Sequence, residues 1–511
     1  MNINADKALQ ACGNDNFYQR LLFLSICLIW LSVDFISICF PLLELLPKFK
    51  CNGVECKVEK FCELSETNRE AIIEYNNIMT DYPQLYCDSF LVICIGVFYV
   101  FGIIVGAVVL SALSDAWGRK KVLLLCQVLF AIAAGVITVR PHFYVVLGLL
   151  LIIGFACSGG TIISYLYINE ILATKRRAIY GALINSSFAV AGVIYFTAYQ
   201  FNKEWVYIAY SSIVIDVISG LILFFYFKES PRYLLSNNRV GEAIEVFKYM
   251  AEKNGRAEQF KQFLESDVPT LTTVEAGSAK KINSSSFDED NKIEALIEEK
   301  SAKTGSSRSA IALFKYKSLR TPFLVCSQLW FTYGFVYYGI SMDLKKSEDD
   351  VFKDGYVVYV AEGIAYLVSC IIMNIQFFGR VRTLRIMMGL CFVATLINYI
   401  FTQCDLKDLN FITLFFARFS ITTACSCLYT YSTEVYPTVI RAKGLGFNAL
   451  SARFAAMLVP IIDEKIENPF HIFSAVALIA FCLSWLLEET FGKPLEDEIK
   501  EEKILKNDDI F

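Results

Sequence analysis

Twelve apolar blocks constrain this chain more than any other feature. They fall at about residues 21–46, 90–113, 122–139, 143–168, 179–199 and 205–227, and again at about 319–342, 356–377, 384–403, 411–433, 443–462 and 470–487. The polar stretch 228–318 separates the two sets of six. A helix of ~20 residues crosses the hydrocarbon of a bilayer, and lipid forces a crossing backbone to satisfy its own hydrogen bonds. The blocks, numbered here as spans 1 to 12, are therefore expected to be transmembrane helices. An outer-membrane barrel would instead alternate every second residue. Hydrophobic residues make up 55% of the 511 positions, above the usual share of a soluble protein. The first block is too long for a signal-peptide core, so it reads as span 1.

Several function classes drop out. The 47 basic and 51 acidic residues nearly balance, which gives no reason to expect nucleic-acid binding. Two His, and no His/Cys cluster at ligand spacing, leave a metal site without support. No GxxxxGK[ST] loop suggests an ATP-driven pump. No nucleophile, base and orienting group can be placed together, so an enzyme is not expected, and no cofactor is implied.

Loop charges set the orientation. Arg119, Lys120 and Lys121, then Lys175, Arg176 and Arg177, then Arg380, Arg382 and Arg385, and finally Arg441 and Lys443 occupy four short loops on one face. The opposite short loops hold fewer basic residues, mixed with acids. The positive-inside rule puts the basic loops and both termini in the cytosol. The 47–89 loop is then external. It contains Cys51, Cys56, Cys62 and Cys87, an even set expected to form two disulfides with three possible connectivities. The expected organisation is a six-helix half at 1–227, a cytosolic loop at 228–318, a second half at 319–490 and a tail at 491–511. Within the loop, 240–265 has helical periodicity and 266–308 reads as a flexible linker.

The halves share their punctuation. Gly118-Arg119 and Gly379-Arg380 lie 261 residues apart. Glu170 with Arg177 and Glu434 with Arg441 are both Glu-x6-Arg pairs, 264 apart, and Glu229 and Glu489 are 260 apart. A parallel duplication of a six-helix unit follows, with the substrate site expected between the halves near the midplane.

The strongest local motif is SDAWGRKK at 114–121. Gly118 permits a tight turn, and Asp115, Arg119 and Lys120 can pair with neighbouring helix ends. With Glu170, Arg177, Glu229, Arg232, Arg380, Glu434 and Arg441 they are expected to form a ring of cytosolic salt bridges acting as a conformational gate. Pro231 in ESPRYLL stops the sixth span.

GNDNFYQRLLF, SDAWGRKK, YLYINEILATKRR, ESPRYLL, LWFTYGFVYYG, YTYSTEVYPTVIRAKGLG and LEETFGKPLEDEIKE together resemble the organic ion transporter family of the major facilitator superfamily, whose members carry organic cations, carnitine or organic anions. The resemblance covers nearly the whole chain. It implies an all-α membrane protein of twelve transmembrane helices in two pseudo-symmetric six-helix halves. It also implies alternating-access transport of a small organic ion across a lipid bilayer, usually the plasma membrane. Ser111, Gln376 and Leu150 depart from the family pattern.

Charges inside spans are costly and mark functional candidates. Arg453 in span 11 occupies the position where, by the resemblance, anion and carnitine carriers tend to have Arg and cation carriers Asp. A guanidinium can grip a carboxylate through two parallel bonds. Trp330, Tyr337 and Tyr338 in span 7, Tyr195 in span 5 and Tyr429 in span 10 are the expected substrate-contacting aromatics, which suggests organic anions or zwitterions. Asp34 in span 1 is a candidate proton-coupling acid or a partner for Arg453. Asp216, Glu362 and Arg418 are further charges within spans, the last read as architectural. Left open are an organic cation or carnitine carrier, a proton-coupled symporter, coupling to a counter-anion, and a non-transporting sensor or subunit.

Overall fold

A computed structural model describes residues 5–492 except positions 14, 66–67, 173, 268–313, 315–316, 347–350, 374, 405, 407–408 and 438–440. The expected linker at 266–308 and the tail at 491–511 lie almost wholly outside the described residues.

The first half holds span 1 in two pieces, Phe17–Val33 and Phe35–Leu43, then Ser89–Trp117, Arg119–Ile137, Phe143–Ile171, Thr174–Asn202 and Trp205–Tyr226. The second holds Lys317–Asp343, Val351–Ile372, Val381–Gln403, Asn410–Val435, Arg441–Lys465 and Phe470–Leu483. Among the described residues, ten of these helices are long and apolar enough to cross a membrane. Span 7, Lys317–Asp343, is long but more polar, and span 12 is short.

Helix pairing repeats between the halves. Span 4 packs on spans 2 and 3, as span 10 packs on spans 8 and 9. Span 1 packs on 5 and 6, as span 7 packs on 11 and 12. The two most extensive contacts between the halves, span 2 with 11 and span 5 with 8, exchange under the same relation, and span 1 also meets span 7. The duplication seen in the punctuation is thus a pseudo-two-fold of the whole bundle.

The loop after span 1 adds a small sheet that the apolar pattern does not foreshadow. Strands β1 (Lys48–Cys51), β2 (Val54–Cys56) and β3 (Arg69–Ile72) run antiparallel in the order β2-β1-β3. Asn52-Gly53, both at positive φ, turn the β1–β2 hairpin, a pair suited to that conformation. Disulfides join Cys51 to Cys56 and Cys62 to Cys87, which selects one of the three connectivities. Phe49, Phe61 and Tyr86 form the small core beneath. Asn77 donates to the carbonyls of Leu42 and Leu45 at 3.0 and 2.7 Å, satisfying orphan acceptors where span 1 ends.

The single helix expected at 240–265 is two, Val240–Lys253 and Ala257–Asp267. Gly255, at φ +67°, turns the chain between them. Asn254 at the break donates to the Cys12 carbonyl at 2.9 Å and accepts from the Tyr18 amide at 2.9 Å. The side-chain needs of Asn254 explain the interruption: they anchor the pair to the N-terminal helix Ala5–Cys12.

Candidate functional site

Two matched charge clusters occupy the basic-loop face. In the first half, Arg119 pairs with Asp115 at 2.7 Å and Glu170 at 3.0 Å, and its guanidinium lies over the Tyr233 ring. Glu229 accepts from the backbone amides of Arg119 and Lys120 at 2.8 and 3.2 Å. Lys120 Nζ donates to the Phe224 and Phe227 carbonyls that end span 6. Gly118 is required there twice over: its φ is +106°, and an added Cβ would sit 2.3 Å from the Glu229 carboxylate. Arg232 donates to the Glu170 carbonyl and pairs with Asp6 at 2.6 Å, and Arg177 lies 3.7 Å from Asp6.

The second half repeats this. Arg380 pairs with Glu434 at 3.2 Å and lies over the Phe491 ring. Glu489 accepts from the amides of Arg380 and Val381 at 2.8 and 3.0 Å, and Gly379 sits at φ +60° against the Glu489 carboxylate. Burial works against the Glu489 charge, but the amides of Arg380, Phe491 and Val381 outweigh it and hold the carboxyl below its ordinary range.

Among the described residues the expected salt bridges fall into two clusters, one in each half. Each pair named here stays inside its own half, because each Arg is set by the tight turn of its own repeat and reaches only the span ends beside it. The side chain of Arg441 lies outside the described residues.

Contacts between the halves gather on the disulfide face. Lys345, just beyond span 7, lies 2.6 Å from Glu44 at the end of span 1 and 3.1 Å from Asp463 in span 11. Lys346 lies 2.8 Å from Asp463 and 3.6 Å from Asp343, and donates to the carbonyls of Asp463 and Ile466. The Asp463 contacts have ion-pair distances without the direction of hydrogen bonds. Tyr359 in span 8 donates to the Ile38 carbonyl at 2.8 Å. A Cβ on Gly96 in span 2 would meet Pro460 of span 11 at 2.5 Å, and one on Gly355 in span 8 would meet Phe196 of span 5 at 2.0 Å. This face is closed.

Charged and aromatic groups meet at mid-depth. Span 1 breaks at Asp34, whose carboxylate accepts from the Cys157 thiol at 2.9 Å. Tyr99 links that thiol to Ser37. Arg453 is half-buried in span 11 and makes no hydrogen bond or ion pair among the described residues. It is close enough to act electrostatically on Asp34, Tyr338 and Tyr429. Trp330 packs edge-on against Tyr429 at 4.4 Å and donates to Ser432.

Arg418 is fully committed. It pairs with Glu362 at 2.7 Å, both fully buried, and donates to the Tyr337 carbonyl and Ser341 hydroxyl. Its guanidinium lies 3.5 Å from the Tyr337 ring centre, and the Tyr337 hydroxyl donates to Glu362 at 2.7 Å. The Tyr195 hydroxyl is likewise engaged, with the Leu31 carbonyl and Ser212.

A sequence model described as the Major Facilitator Superfamily matches residues 22–460. The chain belongs to this superfamily. It is 25% identical to solute carrier family 22 member 6 of Danio rerio over 452 residues, 87% of this chain and 74% of that protein. It is 25% identical to organic anion transporter 3 of Sus scrofa over 443 residues, covering 84% and 75%. The fold is similar to that of the xylose transporter XylE from E. coli, a structure described as a partially occluded inward-open conformation. There the TM-score is 0.64 at 14% identity, over 96% of this chain and 100% of the other.

Of the sequence candidates in this superfamily member, Arg453, Asp34, Trp330, Tyr338 and Tyr429 share one neighbourhood, while the hydroxyls of Tyr195 and Tyr337 brace helices. Cys157, Tyr99 and the Glu44–Lys345–Asp463 cluster were not anticipated. Lone acids and lysines at the ends of apolar blocks were the available signal for that cluster.

Proposed function

We propose that this protein carries small organic anions or zwitterions by alternating access, with the substrate carboxylate held by Arg453. The observation that supports this is the unmatched guanidinium. A permanently charged group at mid-span is costly, and here Glu362 is taken by Arg418 while Asp34 acts on Arg453 only through space, without an ion pair. A carboxylate entering between the halves would supply the missing partner, with Tyr338, Tyr429 and Trp330 offering aromatic faces. The basic face is read as cytosolic and the membrane as the plasma membrane, so the closed disulfide face is the outer one.

The test is uptake of a labelled aromatic carboxylate into proteoliposomes. Arg453→Ala is expected to weaken saturable uptake by about 30-fold or more, as for loss of one partner of a desolvated charge pair. Unchanged uptake in that variant would overturn the assignment. Selective uptake of organic cations would move the substrate class, and binding without flux would favour a sensor.

A second reading, proton coupling, is favoured by Asp34. Its named hydrogen-bond partner is a neutral thiol rather than a cation. Uptake that follows an imposed pH gradient in wild type, and loses that dependence in Asp34→Asn, is the expected result under this reading.

A further inference from the structure

The outer cluster is a charge imbalance in a closed interface. Among the described residues, three carboxylates, from Glu44, Asp343 and Asp463, face two ammoniums, from Lys345 and Lys346. Glu44 is 4% exposed and Asp463 is 2% exposed. Glu464, next along span 11, adds a further negative field. Glu44 belongs to the first half and the other members to the second, so the cluster exists as such only while this face is shut.

We propose that this closed gate is a proton-binding site, in which Glu44 takes up a proton as it docks on Lys345 beside Asp463. Three carboxylates brought to two ammoniums, away from water, repel one another, and a proton on one of them removes the excess charge. Opening the face returns Glu44 to water and releases the proton. Burial, only partly offset by Lys345 and reinforced by Asp463 and Glu464, pushes the Glu44 carboxyl up to about 7. The sign follows from linkage. An acid that binds its proton more tightly in the closed state favours closure at low pH, and that contribution fades as pH rises through about 7. Acid on the disulfide face thus holds the gate shut, by a mechanism separate from Asp34 and independent of which substrate is carried.

The experiment is a pulsed electron-resonance distance measurement in lipid nanodiscs without substrate. Spin labels are attached through ketone-bearing residues at Val139 and Glu467, loop positions of opposite halves on the disulfide face. Between about pH 5.5 and pH 8 the ratio of short to long distances is expected to fall about tenfold in wild type. Glu44→Gln, which mimics the protonated acid, is expected to keep the short distance at both pH values. Asp34→Asn is expected to keep the wild-type response. A wild-type ratio that ignores pH would overturn the proposal. So would a full response in Glu44→Gln, or loss of the response in Asp34→Asn with its retention in Glu44→Gln. Because the readout is a distance, failure of the organic-anion reading leaves this result unaffected.

Discussion

Glu362→Ala is expected to destabilise the protein by about 3–5 kcal/mol, the range for stripping one partner from a buried ion pair. Arg418 has no exposed surface and cannot lose its charge, so its guanidinium would be left with the neutral Tyr337 carbonyl and ring and the Ser341 hydroxyl. The Tyr337 hydroxyl would also lose its acceptor. The pair itself need not be a large net gain, because both ions lost their hydration to reach it. The double variant Glu362→Met with Arg418→Met is therefore expected to recover much of the loss. Thermal unfolding of purified protein, followed by tryptophan fluorescence, compares the three. A single variant as stable as wild type would show that Arg418 has another acid within reach, with Asp34 the first to examine. The same measurement bears on function: with Glu362 gone, Arg418 and Arg453 would compete for whatever negative charge remains.

The architecture was legible because it rests on long-range repetition of simple signals. Block length gave the spans, and the repeated Gly-Arg, Glu-x6-Arg and Glu positions gave the duplication. The structure explains why those three signals travel together: in each half the Arg reaches one Glu while its own amide caps another, over a glycine that leaves room for the carboxylate. The site was legible in part. Arg453 stood out because a charge inside a span is costly wherever it points. Tyr337 and Tyr338 are adjacent and chemically identical, and only the structure separates one braced on Glu362 from one near Arg453. The outer cluster was hidden for a different reason. Glu44, Lys345 and Asp463 lie at block ends, where charges are unremarkable, and their meeting depends on how the two halves dock. The two-way break at Asn254 was missed because a helical periodicity continues straight through it.

Gly102→Leu is expected to be strongly destabilising. Spans 2 and 4 cross on Gly102, Gly106 and Gly154, with backbones so close that each missing Cβ is occupied. A Cβ on Gly102 would lie 2.1 Å from the Leu151 carbonyl oxygen, one on Gly106 would lie 2.5 Å from that of Phe155, and one on Gly154 would lie 2.1 Å from that of Tyr99. These obstacles are backbone atoms, which cannot rotate aside as a side chain can. The spans would have to separate, losing contacts along the seam, in a solvent whose hydrocarbon gives the helices no hydrophobic reason to re-associate. Overpacking of this kind costs about 1–3 kcal/mol where neighbours yield and more where they do not. Separation at this crossing would also pull Tyr99 from Cys157, and with it the support of Asp34. Gly148→Leu is the matched control, since nothing lies within 4 Å of a Cβ built there in the same span 4. The expected outcome is a lower unfolding temperature and heterogeneous size-exclusion behaviour for Gly102→Leu, with Gly148→Leu close to wild type. Equal behaviour of the two variants would mean that the crossing tolerates separation. Close packing of spans 2 and 4 would then not be what holds Asp34 in place.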